Sequence, residues 1–159
     1  MSISDMIVVM KTGVVQQIGK PQDVYDDPAN LFVAKFLGTP PINVFEGRVQ
    51  DGMLYIGEDA VLPIKGVENQ PVTVGIRPEG FIVDENGSLK CKPVNVEVMG
   101  RDVSVVSTHG ASLNPFVRSI VDADNRIDVG SGVVRYAIKP HKIFIFSKKT
   151  EERIYFEVK

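Results

Sequence analysis

Residues whose side chains could do chemistry are few in this sequence and lie far apart. His109 closely follows Ser107-Thr108, so a serine–histidine pair is one interpretation of this stretch. A serine nucleophile in such a pair sits in a glycine-flanked elbow, and that pattern is missing here. We therefore expect His109 and His141 to be exposed loop residues, and we predict no catalytic residue in the chain.

The single cysteine, Cys91, lies between Lys90 and Lys92. Neighbouring cations lower the pKa of a thiol, whereas burial makes a thiol inert, and we favour a half-buried structural cysteine. One cysteine and two histidines predict neither a disulfide nor a soft-metal site. Adjacent carboxylates at 26–27 and 151–152 point apart in regular structure, so we expect caps or solvated turns there.

The charge balance disfavours binding to nucleic acid or to an anionic membrane. Eighteen basic and twenty acidic residues give a formal net charge of −2, and the chain has no tryptophan and only four tyrosines that could stack on bases. Apolar runs are far shorter than the ~20 residues of a membrane-spanning helix. We expect no membrane insertion and no export signal, and therefore a cytoplasmic protein.

The first 38 residues predict a hairpin followed by two short helices. Apolar strands at 7–10 and 14–18 flank a Lys-Thr-Gly turn. Pro21 opens the first helix, where Lys20 is a poor N-cap, and Asp27 before Pro28 is typical of the N-cap of the second. Leu31, Phe32, Phe36 and Leu37 form an apolar stripe on that helix, and Gly38 ends it. Such small elements need a larger partner, which is either another domain or the rest of this chain.

From Val44 onward the sequence predicts an almost entirely β domain. Short stretches rich in Val, Ile, Phe and Tyr alternate with turn signals such as Gln50-Asp51-Gly52 and Gly57-Glu58-Asp59. This spacing favours a sandwich or barrels. The predicted strands are 45–49, 53–56, 72–76, 81–83, 92–98, 103–108, 113–121, 133–138, 143–146 and 154–158.

Arg77 is the one arginine for which the sequence predicts a specific structural role. The proline that follows holds it extended, so its guanidinium, with five donors, can reach Glu79 or backbone carbonyls. We favour a clamp at a barrel corner over ligand binding. A basic group near the end of the chain is expected to be a solvated face: Lys139, Lys142, Lys148, Lys149 and Arg153.

Several of these stretches resemble one known family. The run from Gly19 to Asn43, preceded by Asp5–Gly13, resembles the end of the ATP-binding subunit of sugar-type (maltose or glycerol-phosphate-like) ABC transporters. Val74-Gly75-Ile76-Arg77-Pro78-Glu79, together with the stretches 96–102 and 138–146, resembles the TOBE regulatory domain of those proteins. The resemblance implies a fold of OB-like (TOBE) β-barrel elements after a short α/β segment. It places the end of an ATPase domain at 1–43 and the regulatory domain at 44–159.

The resemblance also implies a function. It predicts a non-catalytic regulatory domain that stabilises a homodimer, contacts permease subunits through a missing ATPase domain and offers a surface to a regulatory protein, peripheral at the inner membrane. ATP and Mg²⁺ would bind the full-length parent. They would not bind this chain, whose sequence has neither the phosphate-binding Gly-x-x-x-x-Gly-Lys loop nor a Ser-Gly-Gly-Gln signature.

Two groups of residues are the candidate site in this interpretation. Gly75, Arg77, Pro78 and Glu79 form the predicted structural turn and clamp. Arg101 and Asp102 lie at the candidate regulatory surface, where the sequence departs from the family pattern. The alternative function is a stand-alone module that binds a small anion or sugar in an OB-like barrel, and a single-strand nucleic-acid binder is disfavoured by the charge and the few aromatic residues.

Overall fold

A computed structural model describes residues 5–125 and 127–159. It begins with the predicted hairpin, formed by antiparallel strands β1 (Ile7–Lys11) and β2 (Val14–Gly19). Thr12 and Gly13 between them both have positive φ, at 50° and 80°. Two successive positive φ angles give a tight turn whose twist matches that of the two strands, as in type I′ hairpins.

Two short helices follow, and one predicted helix cap is wrong. Helix α1 (Pro21–Asp26) starts after Lys20, whose side chain makes no capping bond, as expected. Helix α2 (Leu31–Phe36) is capped by Asn30, whose side chain accepts from the Val33 amide at 2.9 Å. Asp27 is therefore not the N-cap, because the chain between the helices is extended and Asp27 ends α1 instead. Gly38 follows α2 with a φ of 110°.

The remainder is built from antiparallel strands, and the mostly β fold with OB-like elements is confirmed. Short 3₁₀ turns at Pro78–Gly80, Val129–Ser131 and Pro140–Lys142 are the helical pieces between these strands in the described residues. The strands are β3 (Asn43–Gln50), β4 (Met53–Ile56), β5 (Asp59–Lys65), β6 (Gln70–Ile76), β7 (Phe81–Val83), β8 (Leu89–Met99), β9 (Asp102–Thr108), β10 (Val117–Asp122), β11 (Val134–Ile138), β12 (Ile143–Ser147), β13 (Arg153–Ile154) and β14 (Glu157–Val158).

Two curled sheets share one hydrophobic core. The seven-stranded sheet has the order β13-β12-β6-β3-β4-β5-β14, and the five-stranded sheet has the order β10-β9-β8-β11-β7. Buried side chains of both sheets, such as Phe45 and Ile145 from the first and Leu89 and Tyr136 from the second, belong to the same cluster. The two sheets of the β domain are therefore packed around one common core.

Three strand predictions differ from the structure. Strand β5 was missed, because Pro63 and the turn-forming residues before Asp59 mask the alternation of buried Leu62 and Ile64. The strand predicted at 113–121 begins only at Val117, since the preceding residues form bends and a turn. The predicted strand 154–158 is split into β13 and β14, which pair with different neighbours.

The opening segment packs partly on itself and partly on the β domain. Val9, Val24 and Val33 form a small cluster between the hairpin and the helices. A second cluster joins α2 to the sheet, with Leu31 against Phe144 and their neighbours. Apolar side chains nevertheless remain exposed along the hairpin and at the end of α2: Met6, Val8, Met10, Val14, Val15, Ile18 and Phe36. The α-helices of the described chain have six residues each, and none is long and apolar enough to cross a membrane.

Candidate functional site

Arg77 occupies the junction between the helices and the β domain. It follows β6 with an extended backbone (φ −63°, ψ 147°) and precedes Pro78, which opens a 3₁₀ turn. Only 1% of its surface is exposed. Nη1 donates to the carbonyl oxygens of Ala34 at 2.8 Å and Leu37 at 3.0 Å, and Nη2 donates to that of Tyr25 at 2.7 Å. The guanidinium therefore reaches the helices rather than a barrel corner.

The acceptors explain why an arginine occupies this position. All three carbonyls lie in or just beyond the last turn of α1 or α2, where carbonyl groups lack helical partners and carry partial negative charge. A planar guanidinium offers donors in a fixed fork to several acceptors at once. Its central carbon also lies 3.9 Å from the centre of the Tyr25 ring, a cation–π geometry. Burial lowers the pKa of Arg77, opposed by Tyr25 and Glu79.

Glu79 extends this junction into a hydrogen-bonded network. Its carboxylate accepts from the Tyr25 hydroxyl at 2.7 Å and pairs with Lys142 Nζ at 3.2 Å. Burial tends to raise the Glu79 pKa, but the hydrogen bond from Tyr25 and the cation of Lys142 together hold it below its ordinary value. The cationic partner of Glu79 is thus Lys142 and not Arg77, and Lys142 is not the freely solvated residue that the sequence predicted.

Gly75 and Pro78 shape the strand and turn that carry Arg77. Gly75 lies in the sheet opposite Val44 and Phe144. A Cβ atom at Gly75 would lie 2.8 Å from the end of the Ile42 side chain, closer than such contacts occur. Pro78 is buried at the first position of the 3₁₀ turn, where its missing N–H costs no hydrogen bond.

Arg153 is a second buried arginine at the same junction, and its predicted place on a solvated face is wrong. Only 11% of its side chain is exposed. Nη1 donates to Asp27 Oδ1 and to the Pro28 carbonyl, both at 3.0 Å. The guanidinium carbon lies 4.6 Å from the ring centre of Phe144 and 4.5 Å from that of Tyr155. Residues near Arg153 do not indicate this role, because its hydrogen-bond partners, Asp27 and Pro28, lie more than a hundred residues earlier in the chain.

His109 is not an exposed loop residue, so this prediction is also wrong. Its side chain is 9% exposed and its Nε2 lies 2.9 Å from Asp59 Oδ2. The other ring nitrogen accepts from the Ala111 amide at 3.0 Å. Both nitrogens thus have partners in a pair that joins the start of β5 to the loop after β9. This arrangement is structural, since neither nitrogen is directed at a nucleophile. His141, by contrast, is exposed as predicted.

Cys91 is a buried structural thiol. It is 2% exposed. Burial raises its pKa to about 12. The flanking lysines do not activate it, because alternate side chains of β8 point to opposite faces of the sheet. Across the part of the chain that the structure describes, no group of three or more His, Cys, Asp or Glu side chains is arranged to hold a metal ion.

Arg101 and Asp102 lie at the tip of the β8–β9 hairpin, and Asp102 lines the same pocket as Glu79. Both are exposed, and Gly100 beside them has a φ of 66°. The backbone of Asp102 pairs with those of Met99 and Asp122. The structure therefore brings Gly75, Arg77, Pro78 and Glu79 together in one turn, and Asp102 borders the same surface pocket as Glu79.

Comparisons with known proteins agree with this architecture. The family described as the CysA C-terminal regulatory domain matches residues 43–82, which include the Arg77 turn. An oligosaccharides import ATP-binding protein (MsmX) of Bacillus subtilis is 37% identical across 97% of this chain and 46% of its own length. This chain is homologous to the C-terminal part of ABC-transporter ATP-binding proteins. The resemblance drawn from the sequence is confirmed.

Other ABC-transporter ATP-binding proteins match the same extent of the chain. An sn-glycerol-3-phosphate import ATP-binding protein (UgpC) of Ruegeria is 30% identical across 97% of this chain and 43% of its own length. A putative ABC transporter ATP-binding protein of Mycoplasma genitalium is 36% identical across 97% of this chain and 26% of its own length. The chain thus spans less than half the length of these curated relatives.

Proposed function

We propose that this chain is the C-terminal regulatory part of the ATP-binding subunit of an ABC importer for sugars or related solutes, and that it stabilises a homodimer of that subunit. The observation that carries the proposal is the match across 97% of the chain to proteins named as import ATP-binding proteins. The match of residues 43–82 to a regulatory domain supports the same function.

In this proposal residues 1–43 are the end of an ATPase domain and residues 44–159 are the regulatory domain. The exposed apolar face of the hairpin supports the division. Val8 and Ile18 lie opposite each other in the register, and both are at least half exposed. An exposed apolar face of this kind is unusual on the solvent-exposed surface of a folded protein and is typical of an interface with another domain or protein. The remainder of the ATPase domain would cover it, bind ATP and Mg²⁺, and contact the permease subunits at the cytoplasmic side of the membrane.

The clamp then has a defined role at the boundary between the ATPase and regulatory domains. It consists of Gly75, Arg77, Pro78 and Glu79. Arg77 holds the C-terminal ends of both helices, and Glu79 holds Tyr25 of α1. We propose that this clamp joins the ATPase domain rigidly to the regulatory domain. Arg101 and Asp102, exposed on the tip of the β8–β9 hairpin, are the proposed contact surface for a regulatory protein.

A hybrid protein tests the proposal directly. The C-terminal region of the Bacillus subtilis relative is replaced by this chain, and dimerisation and ATP hydrolysis are measured. We expect a hybrid that dimerises and hydrolyses ATP, because the clamp and the α2 contacts are supplied intact by this chain. A matched hybrid with Arg77→Met should fold, but the ATPase and regulatory domains should no longer be held rigidly together. We therefore expect it to lose a large part of its ATP hydrolysis activity.

Two results would contradict the proposal. One is a folded hybrid that stays monomeric in sedimentation equilibrium at high micromolar concentration. The other is saturable binding of MgATP to this chain alone in calorimetric titration, since the nucleotide would then have a site outside the proposed ATPase domain.

A further inference from the structure

We infer that residues 151–155, the strap, are a releasable latch that fixes the orientation of the helical segment, residues 20–38, on the β domain. The strap lies against the extended chain between α1 and α2. Every contact of the latch lies within this chain, so the inference does not depend on the proposed function.

Backbone hydrogen bonds form the first part of the latch. The Leu31 amide, at the start of α2, donates to the Glu151 carbonyl at 3.0 Å, and the Arg153 amide donates to the Ala29 carbonyl at 3.0 Å. Asn30 and Glu152 form an antiparallel bridge between these two bonds. The amide of Leu31 has no acceptor within its own helix, so the strap satisfies a donor that would otherwise be free.

Side chains converging on Asp27 form the second part. Asp27 Oδ1 accepts from Arg153 at 3.0 Å and from the Tyr155 hydroxyl at 3.1 Å. The Arg153 guanidinium also lies over the rings of Phe144 and Tyr155. Because Phe144 belongs to β12, this stack connects Asp27 to the sheet itself.

The latch can open without unfolding the sheet. The Asp27 side chain is 62% exposed, so water and ions can replace its partners. The strap includes the short strand β13, which lies at one edge of the seven-stranded sheet. Arg77, whose guanidinium lies over the same Phe144 ring as that of Arg153, binds the carbonyl oxygens near the ends of both helices. Opening the strap would thus leave Arg77 as the pivot, with Gly38 as the flexible joint after α2.

Native-state hydrogen exchange of the Asp27→Ala variant tests the latch. We expect amides of the helical segment, and that of Leu31 above all, to exchange about tenfold faster, the effect of losing a bond to a charged group. Amides of β6 and β12 should keep the wild-type rate, because the sheet does not open. Glu152→Ala is the matched control, since this exposed strap carboxylate makes no side-chain hydrogen bond or ion pair within the described residues, and its removal should change nothing.

Three outcomes would overturn the inference. Exchange that accelerates equally in the helical segment and in β6 would show that Asp27 stabilises the whole fold and not a local latch. Unchanged exchange at Leu31 would show that the strap does not hold the helices. An equal effect of Glu152→Ala would show that the strap's charge, and not the Asp27 contacts, matters. Should Asp27→Ala fail to fold, Tyr155→Phe removes one neutral donor and is expected to accelerate Leu31 exchange about threefold.

Discussion

Replacing Arg77 with methionine tests whether the buried guanidinium holds the helices to the β domain. Methionine keeps much of the length and apolar volume of the side chain but removes every donor. Three carbonyl oxygens, those of Tyr25, Ala34 and Leu37, then lose their Arg77 hydrogen bond. We expect a large loss of stability from this single change.

The magnitude follows from the contacts. A hydrogen bond to a charged group contributes ~1.5–3 kcal/mol, so three give a gross loss of roughly 5–9 kcal/mol. Burial of the guanidinium opposes its charge, as the lowered pKa of Arg77 shows, and this cost disappears in the variant. The net loss should be about 3–5 kcal/mol, the range for removing one member of a buried charged interaction. For a chain of this size it corresponds to a fall in Tm of about 10 °C.

Urea unfolding followed by circular dichroism measures this loss, and thermal melts check it. Arg101→Met is the matched control: Arg101 is exposed, and its carbonyl accepts from the Ala123 amide, a backbone bond that the substitution leaves in place, so the stability change should stay within ~0.5 kcal/mol. Arg77→Lys keeps the charge but not the fork, and should lose about half as much as Arg77→Met. A loss below ~1 kcal/mol for Arg77→Met would refute the clamp.

Four further predictions concern packing, reactivity and pH. Leu31→Ala should cost ~2–4 kcal/mol in urea unfolding because Leu31 is buried, whereas Phe36→Ala, 60% exposed, should stay within ~0.5 kcal/mol; equal losses would contradict the cluster assignments. Cys91, with its pKa raised by burial to about 12, should react with a thiol reagent at pH 8 only after denaturation, and fast labelling of the native protein would count against it. Burial raises the pKa of Tyr136, so its contribution to stability is full below pH 10.0 and falls as the pH rises further; Tyr136→Phe should weaken this alkaline loss in a pH series of melts. The lowered pKa of Glu79 gives stability that is present above its ordinary value of 4.5 and is lost as the pH falls through the folded-state value, so Glu79→Gln should flatten the acid limb of the same series.

Local sequence signals predicted the elements whose causes are local. The hairpin follows from two apolar stretches around Thr12-Gly13, which supply the positive φ angles of a tight turn. The end of α2 follows from Gly38, and the β domain follows from the regular spacing of short apolar stretches. The motif around Arg77 was recognisable because a proline after the arginine restricts the backbone of both residues.

The remaining features depend on partners that are distant in sequence. Asn30 caps α2 because the chain between the helices is held extended by the strap, and nothing near Asp27-Pro28 indicates that constraint. The His109 side chain is largely buried against Asp59, which lies fifty positions earlier in the chain. This pairing could not be predicted from the residues around His109, because Asp59 begins a strand, β5, that the sequence did not indicate. Arg153 looked like one cation of a solvated group because its acidic partner, Asp27, lies 126 positions earlier in the chain.

The order of strands also determines how the chain can fold as it is synthesised. Strand β6 can pair with β3 early in synthesis, but its other edge pairs with β12. The ribosome makes β12 roughly 70 residues after β6, which is a delay of about 4 to 14 s at a synthesis rate of ~5–20 residues/s. Until then Val72, Val74 and Ile76 belong to an open, strongly apolar edge, the kind of template on which chains aggregate. We therefore expect a nascent or truncated chain that ends before Ile143 to aggregate more readily than a chain that includes β12.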